Sequence, residues 1–249
     1  MPTIKHSESF EVRSYEVDRA GTVSLPRIAD YFQEAAGKNA RDLDFDISDL
    51  QDKGVTWVLF RLHIRIDTFP ERWQKITVNT WPTSGDGVRA FRDYELVNSS
   101  GEQLGLGVSQ WMVLNMKNRR PVRMPKEITE MGLDVENHLL PVDKEPFEKI
   151  SDSDSVIIST HMAGRYDMDM NHHVNNVKYI EWMTGYLPER ITGERKCCEV
   201  KIQFHKETSL NSKVTVKSMP LDDESVLHNI IDKNNQLLAE GISFWKNYK

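Results

Sequence analysis

Ser24-Leu25-Pro26-Arg27-Ile28-Ala29-Asp30-Tyr31-Phe32-Gln33-Glu34-Ala35-Ala36-Gly37 is the stretch on which the fold turns. Leu25, Ile28, Ala29, Phe32, Ala35 and Ala36 recur at the period of a helix with one apolar stripe. Ser24 stands before it as an N-cap, and Pro26 is tolerated in a first turn whose N–H groups have no intrahelical partner. The period then changes to two. From 57 to 66, Val58, Phe60, Leu62, Ile64 and Ile66 share one parity while Arg61, His63 and Arg65 take the other. Ile76 and Val78 alternate with Lys75, Thr77 and Asn79, and Val88, Ala90, Tyr94 and Leu96 alternate with Arg89, Asp93 and Glu95. A long strand over 103–114 returns through the turn Asn98-Ser99-Ser100-Gly101. The first half therefore reads as a helix followed by an antiparallel meander.

The second half repeats that order. Val174, Val177, Ile180 and Met183 fit a helical stripe closed by Gly185 and Pro188, with strands expected at 199–205, 213–218, 226–232 and 237–245. Tyr31 and Gly37 match Tyr179 and Gly185 at a spacing of 148, since 179 − 31 and 185 − 37 agree. Val108-Ser109-Gln110-Trp111 resembles Ile242-Ser243-Phe244-Trp245, and Gln103-Leu104 resembles Gln236-Leu237. These echoes and the shared order indicate a duplication. Between the halves Pro121, Pro125, Pro141 and Pro146 break the alternation. The expected organisation is an N-terminal unit over 1–125, a linker over 126–153 with a short helix near 126–131, and a C-terminal unit over 154–249. An antiparallel sheet wrapped around one helix, occurring twice, is the double hot-dog arrangement of the α+β class. One chain then holds what is otherwise a homodimer.

Composition narrows the function. The 249 residues include 32 basic and 38 acidic ones, a formal charge of −6, which argues against a general nucleic-acid binder. Hydrophobic residues make up 39%, enough for a core, yet no run approaches the length of a membrane-spanning helix. The start Met-Pro-Thr-Ile-Lys-His-Ser-Glu has no apolar segment of the signal-peptide kind, so a cytoplasmic chain without membrane insertion is expected. The two cysteines, Cys197 and Cys198, are adjacent, which rules out a disulfide framework or a cysteine-rich zinc site.

The densest polar cluster is Asp167-Met168-Asp169-Met170-Asn171-His172-His173-Val174-Asn175-Asn176, at the start of the second helix. Helix-start amides lack intrahelical partners and carry positive potential, so a carbonyl oxygen gaining charge could be received there. His173 is of the type that moves protons near neutral pH; Asp169 could orient it or activate water, and Asn171 could position substrate. The plain alternative is that Asp and Asn here merely cap a helix. Metal binding by the adjacent His172 and His173 is disfavoured, because no His-Glu-x-x-His spacing is present. Glu207, after an alternating strand, could be a general base if buried, or simply a solvated strand-end charge. No nucleophile elbow, phosphate-binding glycine loop or dinucleotide fingerprint occurs.

Asp169-x-Asn171-x-His173-Val174-Asn175-Asn176-Val177-Lys178-Tyr179-Ile180 closely resembles the signature of acyl-acyl-carrier-protein thioesterases, the plastid-type family and its bacterial relatives. Trp57-Val58 with Asp67 and Pro70, then Thr80-Trp81, are similar to that family's first-half strands. Asn115-x-Lys117-x-Arg119-Arg120, followed by Pro125, is similar to its segment leaving that half. The resemblance covers almost the whole chain. It implies a double hot-dog enzyme that hydrolyses the thioester between a fatty acyl group and acyl carrier protein, with no cofactor and no metal. It maps the catalytic Asp, Asn and His onto Asp169, Asn171 and His173, and the later acid onto Glu207. Whether Asp169 or Glu207 is the main base stays open. Thr208 stands where plant members carry a cysteine, so water attack is expected in place of a covalent cysteine route.

Aligned on the helix at 148, Asp169, Asn171 and His173 face Gly21, Val23 and Leu25; a register one residue different sets Thr22 and Ser24 against Asn171 and His173. Either way the first half lacks Asn and His, so one active site per chain is expected, with the first half shaping an acyl pocket. The implied partner is acyl carrier protein bearing a fatty acyl-phosphopantetheine. Its docking candidates are Lys117, Arg119, Arg120 and Arg123, in a basic segment that runs on to Lys126 without an acid; a solvated linker is the other reading. Rival functions are a hot-dog acyl-CoA thioesterase, a dehydratase of 3-hydroxyacyl carriers and a non-catalytic acyl-binding protein. Acyl length, saturation and homodimer formation are not legible at this level.

Overall fold

Alternating strands and Asx-type turns build the two meanders. The computed structural model describes residues 4–83, 85–133, 137–142, 145–150 and 156–247. The chain divides into two units, Met1–Val142 and Asp143–Lys249. The expected linker over 126–153 lies partly outside the described residues, at 134–136, 143–144 and 151–153, as do the outermost residues of both expected units.

In the first unit, strands β1 (His6–Glu11), β2 (Val55–Ile66), β3 (Lys75–Thr83), β4 (Arg89–Asn98) and β5 (Gln103–Asn115) lie in the order β1-β3-β4-β5-β2, every pair antiparallel. The β4–β5 turn forms because the Asn98 Oδ1 accepts the N–H groups of Ser100 and Glu102 while Gly101 takes a φ of +82°. Helix α1 (Leu25–Asp42) starts after Ser24 as expected, although the serine side chain makes no capping bond. Its stripe is buried on the sheet, with Phe32 stacked on Tyr94 at 4.8 Å. Helix α2 (Ile47–Gln51) escaped the sequence reading, whereas the short helix α3 (Lys126–Met131) lies where expected. Ile128 packs with Leu50, Val113 and Met124, and Leu140 with Leu106 and Val108, so the chain beyond β5 still belongs to this core.

The second unit contains β6 (Ile157–Met162), α4 (Asn176–Thr184), α5 (Glu189–Thr192), β7 (Arg195–Phe204), β8 (Lys213–Pro220), β9 (Ser225–Asp232) and β10 (Leu237–Asn247). Its sheet order, β7-β10-β9-β8-β6, is the first unit's order read from the other end. The duplication extends to side chains. The Trp111 Nε1–H donates to Ser109 Oγ at 2.8 Å and the Trp245 Nε1–H to Ser243 Oγ at 2.9 Å, at the positions of the sequence echo. Gly107 and Gly241 occupy matching places where the helix meets the sheet. A Cβ at Gly107 would lie 2.6 Å from the Phe32 ring, and one at Gly241 would lie 2.4 Å from the Lys201 carbonyl oxygen.

Two local expectations are corrected, and a third segment departs from simple alternation. Helix α4 begins at Asn176, and Val174 lies before it in an extended bridge with Met168. Strand β2 bulges between Leu59 and Arg61, so Leu59 turns inward and Phe60 leaves the buried parity. Strand β7 bulges opposite Phe244 and Trp245, which lets both Cys197 and Cys198 be buried where alternation would have turned one outward.

Candidate active site

The segment entering α4 is organised by one carboxylate. After a 3-10 turn at Arg165–Asp167, the Met168–Val174 bridge closes a tight loop. Asp169 Oδ1 accepts the N–H groups of Asn171 at 2.8 Å and His173 at 3.2 Å. The Asp169 N–H donates to the His173 carbonyl at 2.8 Å, and the His172 N–H to the Asp169 carbonyl at 3.2 Å. His172 is exposed and takes a φ of +61°, a turn position that His tolerates better than most residues. Asn175 then caps α4, its Oδ1 accepting the Val177 N–H at 2.9 Å. The expected use of helix-start amides for a carbonyl oxygen is narrowed by this, since the Val177 amide is already bonded.

Glu207 arrives from the end of β7. The Leu238 carbonyl accepts from both His205 and Lys206 N–H groups, at 2.8 and 3.1 Å, which stops the strand and turns the chain. The Val174 N–H donates to the Thr208 carbonyl at 2.9 Å, joining the loop to the strand end. This places His173 Nε2 3.3 Å from Glu207 Oε2, with about a third of each side chain exposed (32% and 34%). Two residues to which the sequence reading assigned no role in catalysis are joined next to them. The Tyr179 Oη–H donates to Thr208 Oγ1 at 2.8 Å, and both residues are buried. Burial pushes the Tyr179 hydroxyl up to about 12; the Thr208 hydrogen bond opposes this, and the Glu207 and Asp169 charges add to it. The signals in the sequence were Tyr179's place within the quoted signature and Thr208's place where plant members carry a cysteine.

His173 and Glu207 therefore meet, Asp169 ties the loop's backbone together, and the partly buried Asn171 lies between Asp169 and His173 in the same loop. Among the described residues no group of three or more His, Cys, Asp and Glu is placed to hold a metal ion.

The first unit contains the same loop without the chemistry. Asp18 Oδ1 accepts the N–H groups of Ala20 and Thr22, the Asp18 N–H donates to the Thr22 carbonyl, and Gly21 takes a φ of +78°. Asp169 thus corresponds to Asp18, Asn171 to Ala20 and His173 to Thr22, because 169 − 18, 171 − 20 and 173 − 22 are all 151. The register of 148 read from the sequence is corrected by three residues. Three residues are nearly one helical turn, so the shifted register keeps the apolar stripe and misleads the eye. In the corrected register, too, the first unit has no Asn or His at the matching positions, which hold Ala20 and Thr22.

Lys117, Arg119, Arg120 and Arg123 are all exposed. They ride on a turn in which Asn115 Oδ1 accepts the Lys117 and Asn118 N–H groups and the chain folds back on β5 through Leu114 and Pro121. The Cys197 thiol is pushed up by burial, and Cys197 and Cys198 direct their Sγ–H groups to the carbonyls of Glu199 and Phe244.

A family model described as the acyl-ACP thioesterase N-terminal domain matches residues 3–131, and one described as the C-terminal domain matches residues 151–247. The palmitoyl-acyl carrier protein thioesterase of Gossypium hirsutum is 26% identical over 217 residues, spanning 83% of this chain and 52% of its own length. The oleoyl-acyl carrier protein thioesterase 2 of Arabidopsis thaliana is 27% identical over 220 residues, spanning 81% of this chain and 59% of its own. The chain therefore spans between half and two thirds of the length of these curated relatives. Among solved structures, the 12:0-ACP thioesterase from Umbellularia californica superposes with a TM-score of 0.89 at 21% identity, covering 100% of this chain and 99% of that one. An acyl-ACP thioesterase from Bacteroides thetaiotaomicron gives 0.87 at 21% identity, covering 97% and 98%. Likeness at this level establishes the fold, a double hot-dog.

Proposed function

We propose that this chain, which belongs to the acyl-ACP thioesterase family, hydrolyses fatty acyl-acyl carrier protein to free fatty acid and carrier protein, as a step of fatty acid biosynthesis. The observation that carries the reading is the 3.3 Å contact between His173 Nε2 and Glu207 Oε2 beside the loop held by Asp169. An ionised carboxylate only accepts hydrogen bonds, so Nε2 carries the proton facing Glu207 and Nδ1 keeps its lone pair for water. In this scheme the water oxygen bonds to the acyl carbon while its proton passes to the imidazole. The resulting oxyanion collapses, the C–S bond breaks, and the leaving thiolate takes that proton. Glu207 stabilises the imidazolium in between. Asp169, whose Oδ1 is engaged by two backbone amides, serves as organiser, and Glu207 is the better candidate for the basic carboxylate. Asn171 is assigned to the carbonyl oxygen, as a side-chain amide donor near His173.

The docking role of Lys117, Arg119, Arg120 and Arg123 belongs to the same proposal; their exposure along a hydrogen-bonded turn and the segment after it suits attraction of an acidic carrier. So does the cytoplasmic location, which rests on the sequence reading; the plant relatives are chloroplastic by name. Thiol release from one acyl group presented on acyl carrier protein and on coenzyme A is the deciding experiment. Faster release from the carrier is expected. Preference for coenzyme A would make this an acyl-CoA thioesterase, dehydration of a 3-hydroxyacyl carrier with its thioester intact a dehydratase, and tight binding without turnover an acyl-binding protein.

A further inference from the structure

We propose that Thr208 is the positioning residue of this site: anchored by Tyr179, it holds Glu207 against His173 without itself touching the thioester. The inference rests on the hydrolase reading above and adds a residue to it. His173 and Glu207 are each about one third exposed, and side chains at that depth keep a fixed contact only if their backbones are held. Both backbones meet at one residue. Thr208 follows Glu207 directly, and its carbonyl accepts the N–H of Val174, which follows His173 directly. The Thr208 side chain is itself fixed, because Oγ1 accepts from Tyr179 Oη at 2.8 Å and only 3% of the residue is exposed. Tyr179 is 2% exposed and belongs to α4, the helix that the loop leads into.

The duplication supplies an internal control. The backbone bond recurs in the first unit, where the Val23 N–H donates to the Pro70 carbonyl at 2.9 Å. Pro70 takes the place of Thr208, since 208 − 70 is 138 and the same spacing relates His205 and Lys206 to Asp67 and Thr68, which both donate to the Leu104 carbonyl. In the loop register of 151, Tyr179 corresponds to Ile28, which is fully buried. The fold therefore closes this junction with an isoleucine and a proline where no catalytic groups are present. At this junction two buried hydroxyls joined to each other stand in the half that carries Asn171, His173 and Glu207, and Ile28 and Pro70 fill the matching places in the other. Burying two hydroxyls gives little net stability over an apolar pair of similar shape, so their presence is better explained by the geometry they impose.

The test compares Thr208→Val, Thr208→Ser and Tyr179→Phe in the full-length protein, with thiol release from acyl carrier protein over a pH series and amide hydrogen exchange at Val174. Thr208→Val and Tyr179→Phe should each lower kcat tenfold or more, leave KM within about twofold, and displace the limb of the pH profile that a Glu207→Gln change also displaces. Thr208→Ser, which keeps the hydroxyl, should stay within about threefold. Exchange at Val174 should quicken in Thr208→Val and not in Thr208→Ser. Wild-type kcat in a folded Thr208→Val protein would overturn the proposal, as would equal losses in the Val and Ser variants. If the wild-type protein released no thiol from any acyl carrier, the hydrolase reading would fall by itself. Exchange at Val174 would then decide whether Thr208 clamps the loop: quickened only in the Val variant it stands, and unchanged it fails.

Discussion

His228, on β9, is fully buried between two serines, with Nδ1 and Nε2 each 2.8 Å from a hydroxyl, of Ser218 and Ser243. Each serine hydroxyl can donate to or accept from the ring, so the neutral imidazole is satisfied at both nitrogens, one donating and the other accepting. Among the described residues neither ring nitrogen has a carboxylate bonded to it. Burial lowers the imidazole from its ordinary 6.5 to about 3. The unfolded chain binds a proton at this residue below about 6.5, whereas the native chain does not until about 3. The stability tied to the neutral ring is therefore fully present above pH 6.5 and declines as pH falls through that window, by about 1.4 kcal/mol per pH unit. The loss amounts to about 2 kcal/mol by pH 5 and about 4 kcal/mol by pH 3, where the native ring begins to take up its own proton. The perturbation is His228→Gln, which keeps a donor and an acceptor but cannot titrate. Urea unfolding at pH 7 and pH 5 should show wild type losing about 2 kcal/mol more than the variant across that interval, with the other titrating groups cancelling in the comparison. Equal losses in the two proteins would refute the reasoning, because they would mean that the ring is protonated without disturbing the fold.

Four further outcomes are expected. His173→Ala and Glu207→Ala should each cut kcat for thiol release roughly a hundredfold or more, as loss of an acid–base group does, with circular dichroism unchanged. A protein with both Cys197→Ala and Cys198→Ala should keep its thiol-release activity, because both thiols are buried and bonded to strand carbonyls; complete inactivation of a folded double variant would restore a covalent route. Reversing Arg119 and Arg120 to Glu should raise KM for acyl carrier protein with a smaller change in kcat, and leave a small carrier-free acyl thioester nearly unaffected; equal effects on both would move the docking site elsewhere. Gly241→Ala should lower stability by about 1–3 kcal/mol, read as a reduced urea midpoint, because its Cβ would meet a backbone oxygen that cannot swing aside.

The repeated order of one helix and a meander was legible in the residues because period and turn chemistry are local properties. Leu25 to Ala36 announced α1, and Asn98-Ser99-Ser100-Gly101 announced the turn between β4 and β5. The edge strands β1 and β6 were not legible, since His-Ser-Glu-Ser-Phe-Glu and Ile-Ile-Ser-Thr-His-Met carry little alternating apolar pattern and form only by pairing with β3 and β8. The bulges at Phe60 and Cys198 were likewise invisible, because a bulge is a property of two paired strands and not of one.

The candidate site divides in the same way. Asp169, Asn171 and His173 stand within five residues of one another, so their loop could be read directly from the chain; Glu207 stood out only as an acid at a strand end, and the family likeness tied it to that loop. What the tertiary structure alone decided is which of them touch. His173 meets Glu207 because Val174 bonds to Thr208 across a gap of 34 residues, 208 − 174, a pairing no local rule encodes. The register between the two halves also needed the hydrogen bonds of Asp18 and Asp169, since helical periodicity repeats every turn and cannot tell 148 from 151. A short-range pattern settles what each segment is. Only the long-range bonds settle which segments share a site.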